Sequence, residues 1–493
     1  MLLNEFLQVI HYTEIINRSG VDAAATEVAA IACDSRKVFS GALFVCIQGA
    51  LSNGHDFARA AYDRGAKIFV AERPVDLPAD AFVIITPDSR VALAQISALF
   101  FGNPAKEMTI IGVTGTKGKT TTSLMIYHVL NDSGIPTGYI GSNGICLGDY
   151  TYGTVNTTPE SYDLHYYMRQ MLSVGVRTLV MEVSSQALKM ARVYGIPFDT
   201  CVFTNLAPDH IGEHEHPDFN DYKQCKHSLF TDYGAEFIVY NADDEYAEEM
   251  ISGNRCEKAS LSLHKSADFR GEALDYYRTP GKIGVSFRCH HRGEQYSVSV
   301  SFPGEFSAYN AMTAIAVCSH LGLRIPDIIS TLRDIRIKGR FETYELPNGA
   351  TAVIDYAHNG VSLKAALQAL RMYEPNRLIC LFGSVGGRTR NRRAELGLVA
   401  SRDADFCILT SDNPDNEPPT AIISEIATYF TPGTCPYVAI PDRKKAIEYA
   451  LSHTKQGDIL LLAGKGHESY QIICGIREDF SESEIIRRFC LIN

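Results

Sequence analysis

No uninterrupted apolar run in this chain reaches the ~18 residues that a membrane-spanning helix needs, so no membrane span is expected. Net positive charge is missing as well. A formal charge of −11 argues against a general nucleic-acid binder, whose electrostatic footprint is basic. It leaves room for a local basic site that takes a phosphorylated small molecule. No Cys-x-x-Cys pair offers a zinc site. The 13 cysteines are scattered and odd in number, which fits reduced thiols in a cytoplasm better than a disulfide framework. Cys33, Cys46, Cys201 and Cys407 fall in apolar strands and read as core. The segment Met1-Leu-Leu-Asn-Glu-Phe-Leu-Gln-Val-Ile10 lacks the basic flank and small-residue cleavage site of a secretory signal and reads as an amphipathic first helix. Internal repeats and low-complexity tracts are absent too.

What remains is the composition of a globular protein, 45% hydrophobic and 21% charged. Its 493 residues are too many for one ordinary core and suggest about three domains. Residues 1–104 read as a small α/β unit, with strands at 31–36, 42–47 and 68–71, a helix opening at Gly54 and a linker at 101–104. Residues 105–338 alternate strands (108–113, 178–182, 200–205, 236–240) with helices, the order of a doubly wound, mostly parallel sheet. Around 282–302 polar and apolar residues alternate, which predicts a short antiparallel sheet. Residues 339–493 form a third α/β unit, Rossmann-like, with strands at 352–355, 378–382, 406–410 and 459–463.

The run Gly112-Val-Thr-Gly-Thr-Lys-Gly-Lys-Thr120 follows an apolar strand and leads into a segment whose Leu124, Tyr127 and Leu130 recur at helical spacing. Strand, Gly-rich turn and helix N-terminus make a phosphate cradle. Backbone N–H groups face the anion, Lys119 reaches the outer phosphates and the Thr120 hydroxyl can ligate Mg²⁺. Gly112 and Gly118 enclose five residues where the strict pattern from glycine to Gly-Lys-Thr has four. In open α/β sheets ligands sit beyond the carboxyl ends of strands. Glu182, Asn205, Asp209 and His210 fall there. A carboxylate and an imidazole could complete an Mg²⁺ site with Thr120, although Mg²⁺ prefers oxygen.

Taken in order, Asp34-Ser-Arg36, Gly41-Ala-Leu-Phe44, Gly115-Thr-Lys-Gly-Lys-Thr-Thr121, Asn156-Thr-Thr-Pro-Glu160, Glu182-Val-Ser-Ser185, Asp209-His210, Gly339-Arg340, Asp355-Tyr-Ala-His358, Asp412-Asn-Pro414 and Gly464-Lys-Gly-His-Glu468 resemble the motifs of the Mur ligase family over nearly the whole chain. Within that family the chain most resembles the branch that adds the third peptide residue. The resemblance implies an N-terminal uridine-nucleotide domain, a central ATP-binding domain and a C-terminal amino-acid-binding domain. It implies ATP bound by Gly115, Thr116, Lys117, Gly118, Lys119, Thr120, Thr121, Asn310, Arg340 and Asp355. Magnesium would be held by Thr120, Glu182, His210 and Lys226, the last as a carbamate that replaces a cation with a carboxylate-like anion. With Lys119, these last three would be catalytic. Ser35, Asn156, Thr157, Thr158, Ser184 and Arg192 match positions near the UDP-muramoyl-dipeptide, and Arg388, Asp412, Asn413, Asp415 and Glu468 positions near the amino acid. A bacterial cytoplasmic monomer is expected, making peptidoglycan precursors.

The implied chemistry activates a carboxylate as an acyl phosphate, which an amine then attacks. Family members that add meso-diaminopimelate usually carry Asp-Asn-Pro-Arg, with the arginine on the distal carboxylate. This chain reads Asp412-Asn-Pro-Asp415. With Asp412 and Glu468, an acidic Asp415 favours a distal ammonium and hence L-lysine. The alternatives are that Asp415 caps the helix from about Pro418 or faces solvent, with Arg388 or Arg390 selecting meso-diaminopimelate or another diamino acid, or that the chain acts on another acid altogether. A non-catalytic nucleotide switch is the reading from a different class. It would bind nucleotide without amino-acid-dependent phosphate release.

Overall fold

In the computed structural model all residues are described except 19, 50–51, 213–214, 388–390, 432 and 493. Two units emerge, Met1–Ala267 with Ala316–Leu321, and Asp268–Ile315 with Gly322–Asn493.

The first unit carries two sheets. The smaller has strand order Glu14–Asn17, Phe82–Ile85, Ile68–Ala71, Ala42–Val45, Ala30–Ala32. The first pair is antiparallel and the rest parallel. The strand expected at 31–36 ends at Ala32 because the Asp34 side chain accepts from the Arg36 amide, winding Ser35–Lys37 into a 3₁₀ turn. Cys33 therefore lies past the strand and is only partly buried, against the expectation of a core position.

In the larger sheet the strands Glu257–Ser262, Phe237–Asn241, Thr200–Phe203, Thr109–Thr114, Thr178–Glu182 and Thr137–Gly141 run parallel in that order. Two antiparallel strands, Gly144–Leu147 and Tyr150–Tyr152, follow. Thr109–Thr114 lies between strands later in the chain on either side, the switch point where open α/β sheets bind ligands. Both faces are covered, so its central strands are apolar throughout rather than alternating. Helix Lys119–Asp132 starts two residues earlier than periodicity suggests, with Gly118 (φ 86°) as its N-cap.

The second unit holds the expected antiparallel ribbon. It begins earlier than read, as strands Phe269–Thr279, Lys282–His291 and Glu294–Val300. Its main sheet orders Glu342–Glu345, Thr351–Asp355, Ile459–Ala463, Leu378–Phe382, Phe406–Leu409, Tyr437–Ala439. All pairs are parallel except the first. Buried Leu363, Leu367, Leu370, Leu396 and Ile426 pack on one face, and Ile447, Leu451 and Ile486 on the other.

Candidate active site

The phosphate loop is shaped by residues that tolerate nothing larger. Gly115 has φ 143°, and a Cβ there would collide with Thr204 Oγ1. Asn205 brackets the loop: its carbonyl accepts from the Thr116 amide at 2.8 Å and its Oδ1 from the Lys117 amide at 2.9 Å. Lys119 Nζ folds back onto the Gly115 and Thr116 carbonyls at 2.9 and 3.1 Å. Thr121 follows on the first helical turn.

Thr120 and Glu182 come together, Thr120 Oγ1 donating to Glu182 Oε2 at 3.0 Å. Glu182 is 1% exposed. Its Oε1 accepts from Tyr139 Oη at 2.7 Å and the Ser142 amide at 2.8 Å. No cationic side chain pairs with this carboxylate among the described residues. Gly141 is what lets the adjacent strand approach, because a Cβ there would strike both Glu182 Oε1 and Tyr139 Oη. The expected dipeptide-substrate residues gather at the same strand end. Thr158 Oγ1 donates to the Glu182 carbonyl at 2.8 Å and accepts from the Ser184 amide at 3.1 Å, and Thr157 Oγ1 meets Ser142 Oγ at 3.0 Å. Arg192 donates to the Thr158 carbonyl at 3.1 Å and pairs with Glu160 at 2.8 Å. The Asn156 carbonyl accepts from Thr154 Oγ1. Ser35 lies on the 3₁₀ turn beside the small sheet.

Lys226 is 1% exposed on helix Phe219–Thr231. Its Nζ donates to the Gly115 carbonyl at 2.8 Å and lies 4.7 Å over the Tyr222 ring. Burial, reinforced by the Lys119 charge, pushes its pKa well below the usual lysine range. No carboxylate pairs with it among the described residues. Tyr222 Oη in turn reaches Thr116 Oγ1 at 3.1 Å. His210 borders this set, its ring centroid 6.2 Å from that of Tyr222. Its half-exposed ring faces Glu215, Nδ1 to Oε1 3.1 Å, with φ 56°, while its neighbour Asp209 pairs with Lys117 at 3.1 Å.

In the second unit Asn310 is buried in helix Phe306–His320. Asp355 ends its strand and accepts from the Phe341 amide at 3.0 Å. Burial raises its pKa to about 6 against the opposing Arg340 charge. Arg340 lies 5.1 Å over the Tyr356 ring.

Three of the expected amino-acid residues, Asp412, Asn413 and Glu468, meet around a group to which the sequence assigned no role, Lys465. Fully buried, its Nζ reaches Glu468 Oε2 at 2.8 Å, Asn413 Oδ1 at 2.9 Å and Asp412 Oδ1 at 3.4 Å. Asn413 Nδ2 also donates to Glu468 at 3.0 Å. The acidic trio expected to favour a lone ammonium is thus partly neutralised. Asp415 does not cap helix Pro419–Ala427, whose N-cap is Pro418. At φ 52° it is tied through its backbone to Ile472 and Cys474, and its side chain is partly buried. Arg388 and Arg390 lie outside the described residues. Tyr139 and Ser142 were also missed, because a strand-end tyrosine and a turn serine carry no local signature. Lys465 was within reach, inside the Gly464–Glu468 run.

Comparison with known proteins agrees with this geometry. Residues 113–318 match the Mur ligase middle domain, 339–466 the Mur ligase glutamate ligase domain and 27–101 the Mur ligase family catalytic domain. The chain is 36% identical over 492 residues, 99% of each chain, to a protein of Clostridium botulinum named UDP-N-acetylmuramoyl-L-alanyl-D-glutamate–2,6-diaminopimelate ligase. It is 38% identical over 490 residues to a protein of the same name from Chlorobaculum tepidum, covering 96% of this chain and 94% of that one. A solved structure of a ligase of that name superimposes with a TM-score of 0.69 at 26% identity, covering 100% of this chain and 99% of the other. A phosphate loop at the sheet's switch point, a buried carboxylate beside its threonine and three matching domains place this chain in the Mur ligase family of ATP-dependent, peptide-bond-forming ligases.

Proposed function

We propose that the chain adds the third residue of a UDP-linked muramoyl peptide, joining 2,6-diaminopimelate to UDP-N-acetylmuramoyl-L-alanyl-D-glutamate. The observation that carries this reading is near end-to-end similarity to relatives named for that substrate and that amino acid. A free carboxylate has too poor a leaving oxygen to form an amide at neutral pH. Moving the γ-phosphoryl group of ATP onto it gives an acyl phosphate, which the amine attacks through a tetrahedral intermediate as phosphate leaves. Phosphoryl transfer needs positioning and charge neutralisation, which the loop amides and Lys119 supply.

The residues present fit magnesium. Glu182 is a buried carboxylate whose hydrogen-bond donors are hydroxyls and an amide, and a buried anion calls for a counter-charge. Thr120 and Glu182 would hold the ion, which would neutralise phosphate charge. Lys226 presents the complementary deficit: a buried amine with depressed basicity and a carbonyl as its hydrogen-bond acceptor. Such an amine adds to CO₂ and sheds a proton, and the resulting carbamate would offer oxygens to a second ion. His210 would join the set after its ring leaves Glu215.

Lysine is the second reading, and Asp415 favours it by standing where diaminopimelate-adding members carry arginine. Against it, Lys465 already answers part of the negative charge of Asp412 and Glu468. In the diaminopimelate reading Arg388 or Arg390 would supply the missing cation. The test is to offer diaminopimelate, lysine and ornithine separately with ATP, Mg²⁺ and the UDP-dipeptide, following phosphate release and product mass. Diaminopimelate should be the amino acid consumed. Turnover with lysine alone would overturn that choice but not the ligase reaction. Phosphate release indifferent to all three would overturn the reaction itself.

A further inference from the structure

Helix Phe219–Thr231 carries a second cluster that the ligase reaction does not use. Asp221 and Cys225 are four residues apart and share a helical face. His216, from the preceding turn, is fully buried. Its Nδ1 lies 2.6 Å from Asp221 Oδ2 and its Nε2 2.9 Å from Ser185 Oγ. Ligand atoms of His216, Asp221 and Cys225 all lie within 4.8 Å of one another. Side-chain rotation closes that spread around an ion held at about 2.0–2.3 Å by each donor. The Ser185 hydroxyl steadies the second ring nitrogen, as the outer partner of a metal-bound histidine does. A cation is already drawn to the spot: Lys189 Nζ sits 2.8 Å from Asp221 on a partly exposed, flexible stem.

We propose that His216, Asp221 and Cys225 form a binding site for zinc-class cations, and that loading it slows the ligase. Nitrogen, oxygen and sulfur donors suit Zn²⁺, whereas Mg²⁺ takes oxygen, so the two ions sort between different sets. On loading, Lys189 swings away and the Cys225 thiol yields its proton to water. The site is linked to the ligase residues by the backbone. The His216 amide donates to the His210 carbonyl at 3.0 Å and the Gly212 amide to the His216 carbonyl at 2.9 Å. Fixing His216 therefore holds the His210 and Gly212 backbone groups bonded to it, and Cys225 adjoins Lys226.

Cobalt(II) is the probe, titrated into the full chain without nucleotide, so the binding arm is independent of which amino acid is joined. One equivalent should bind with a near-ultraviolet thiolate-to-cobalt band, and Zn²⁺ should displace it. Cys225→Ser should lose the band and weaken binding at least tenfold, while keeping its zinc-free ligase rate. Cys256→Ser should behave as the unaltered chain. In the ligase assay Cys225→Ser should need at least tenfold more Zn²⁺ for half-inhibition. A full-strength band in Cys225→Ser, or unchanged zinc sensitivity, overturns the proposal.

Discussion

Glu182 divides its two oxygens among Thr120, Tyr139 and Ser142, so its orientation is fixed before any substrate arrives. Glu182→Gln keeps the shape and removes the charge. We expect kcat to fall by about 10²–10³, the usual cost of one electrostatic group in a transition state, with nucleotide binding retained. Lys226→Ala should abolish turnover, and added formate or acetate should restore part of it. Failure of any short carboxylate to rescue would count against a carbamate there. Asp355 gives a pH signature. Its folded pKa, about 6, stands above the ordinary 3.8, so the folded state holds the proton more tightly than the unfolded chain. Its contribution is therefore complete below about pH 4 and is lost as pH rises to about 6. Asp355→Asn should flatten that segment of the stability profile measured by urea unfolding. Single residues were legible where neighbours in sequence are neighbours in space, as in the phosphate loop. They were not where partners converge from afar. Lys465 meets Asp412 and Asn413 across more than fifty residues, so its neutralising role beside them had to await the fold.

The strand Thr137–Gly141 shows how an element, rather than a side chain, sets the site. It lies parallel to Thr178–Glu182, and its last glycine removes the one atom that would push Glu182 aside. Gly141→Ala should leave the sheet formed but displace the carboxylate or Tyr139. A rise in the Mg²⁺ concentration for half-activity, with little change in far-ultraviolet circular dichroism, would be the readout. Most strands were readable from apolar runs because a covered parallel sheet makes them continuous. Their ends were less so. The strand read at 31–36 stopped at Ala32 because a local Asp34 hydrogen bond competes with the ladder, and Lys119–Asp132 began early because a Gly118 cap carries no apolar signal.

For the whole molecule, the 13 cysteines are all thiols in the structure, most of them partly or fully buried. Under denaturing, non-reducing conditions the freshly purified chain should therefore react with 13 equivalents of a thiol reagent, whereas the folded chain should react fastest at exposed Cys474. A deficit after denaturation would reveal a disulfide. The three-part order was legible from motif succession along the chain, since family signatures are contiguous. Asp415 was read as one charge among acids, and its conformation was not. Its backbone takes the left-handed region, which aspartate tolerates better than most residues.

Lys465 has a consequence for inhibitor chemistry. Its ammonium is walled in by Asp412, Asn413 and Glu468, so electrophilic warheads that seek lysine will pass it by. A reversible compound aimed at this loop would meet a floor that is already internally paired.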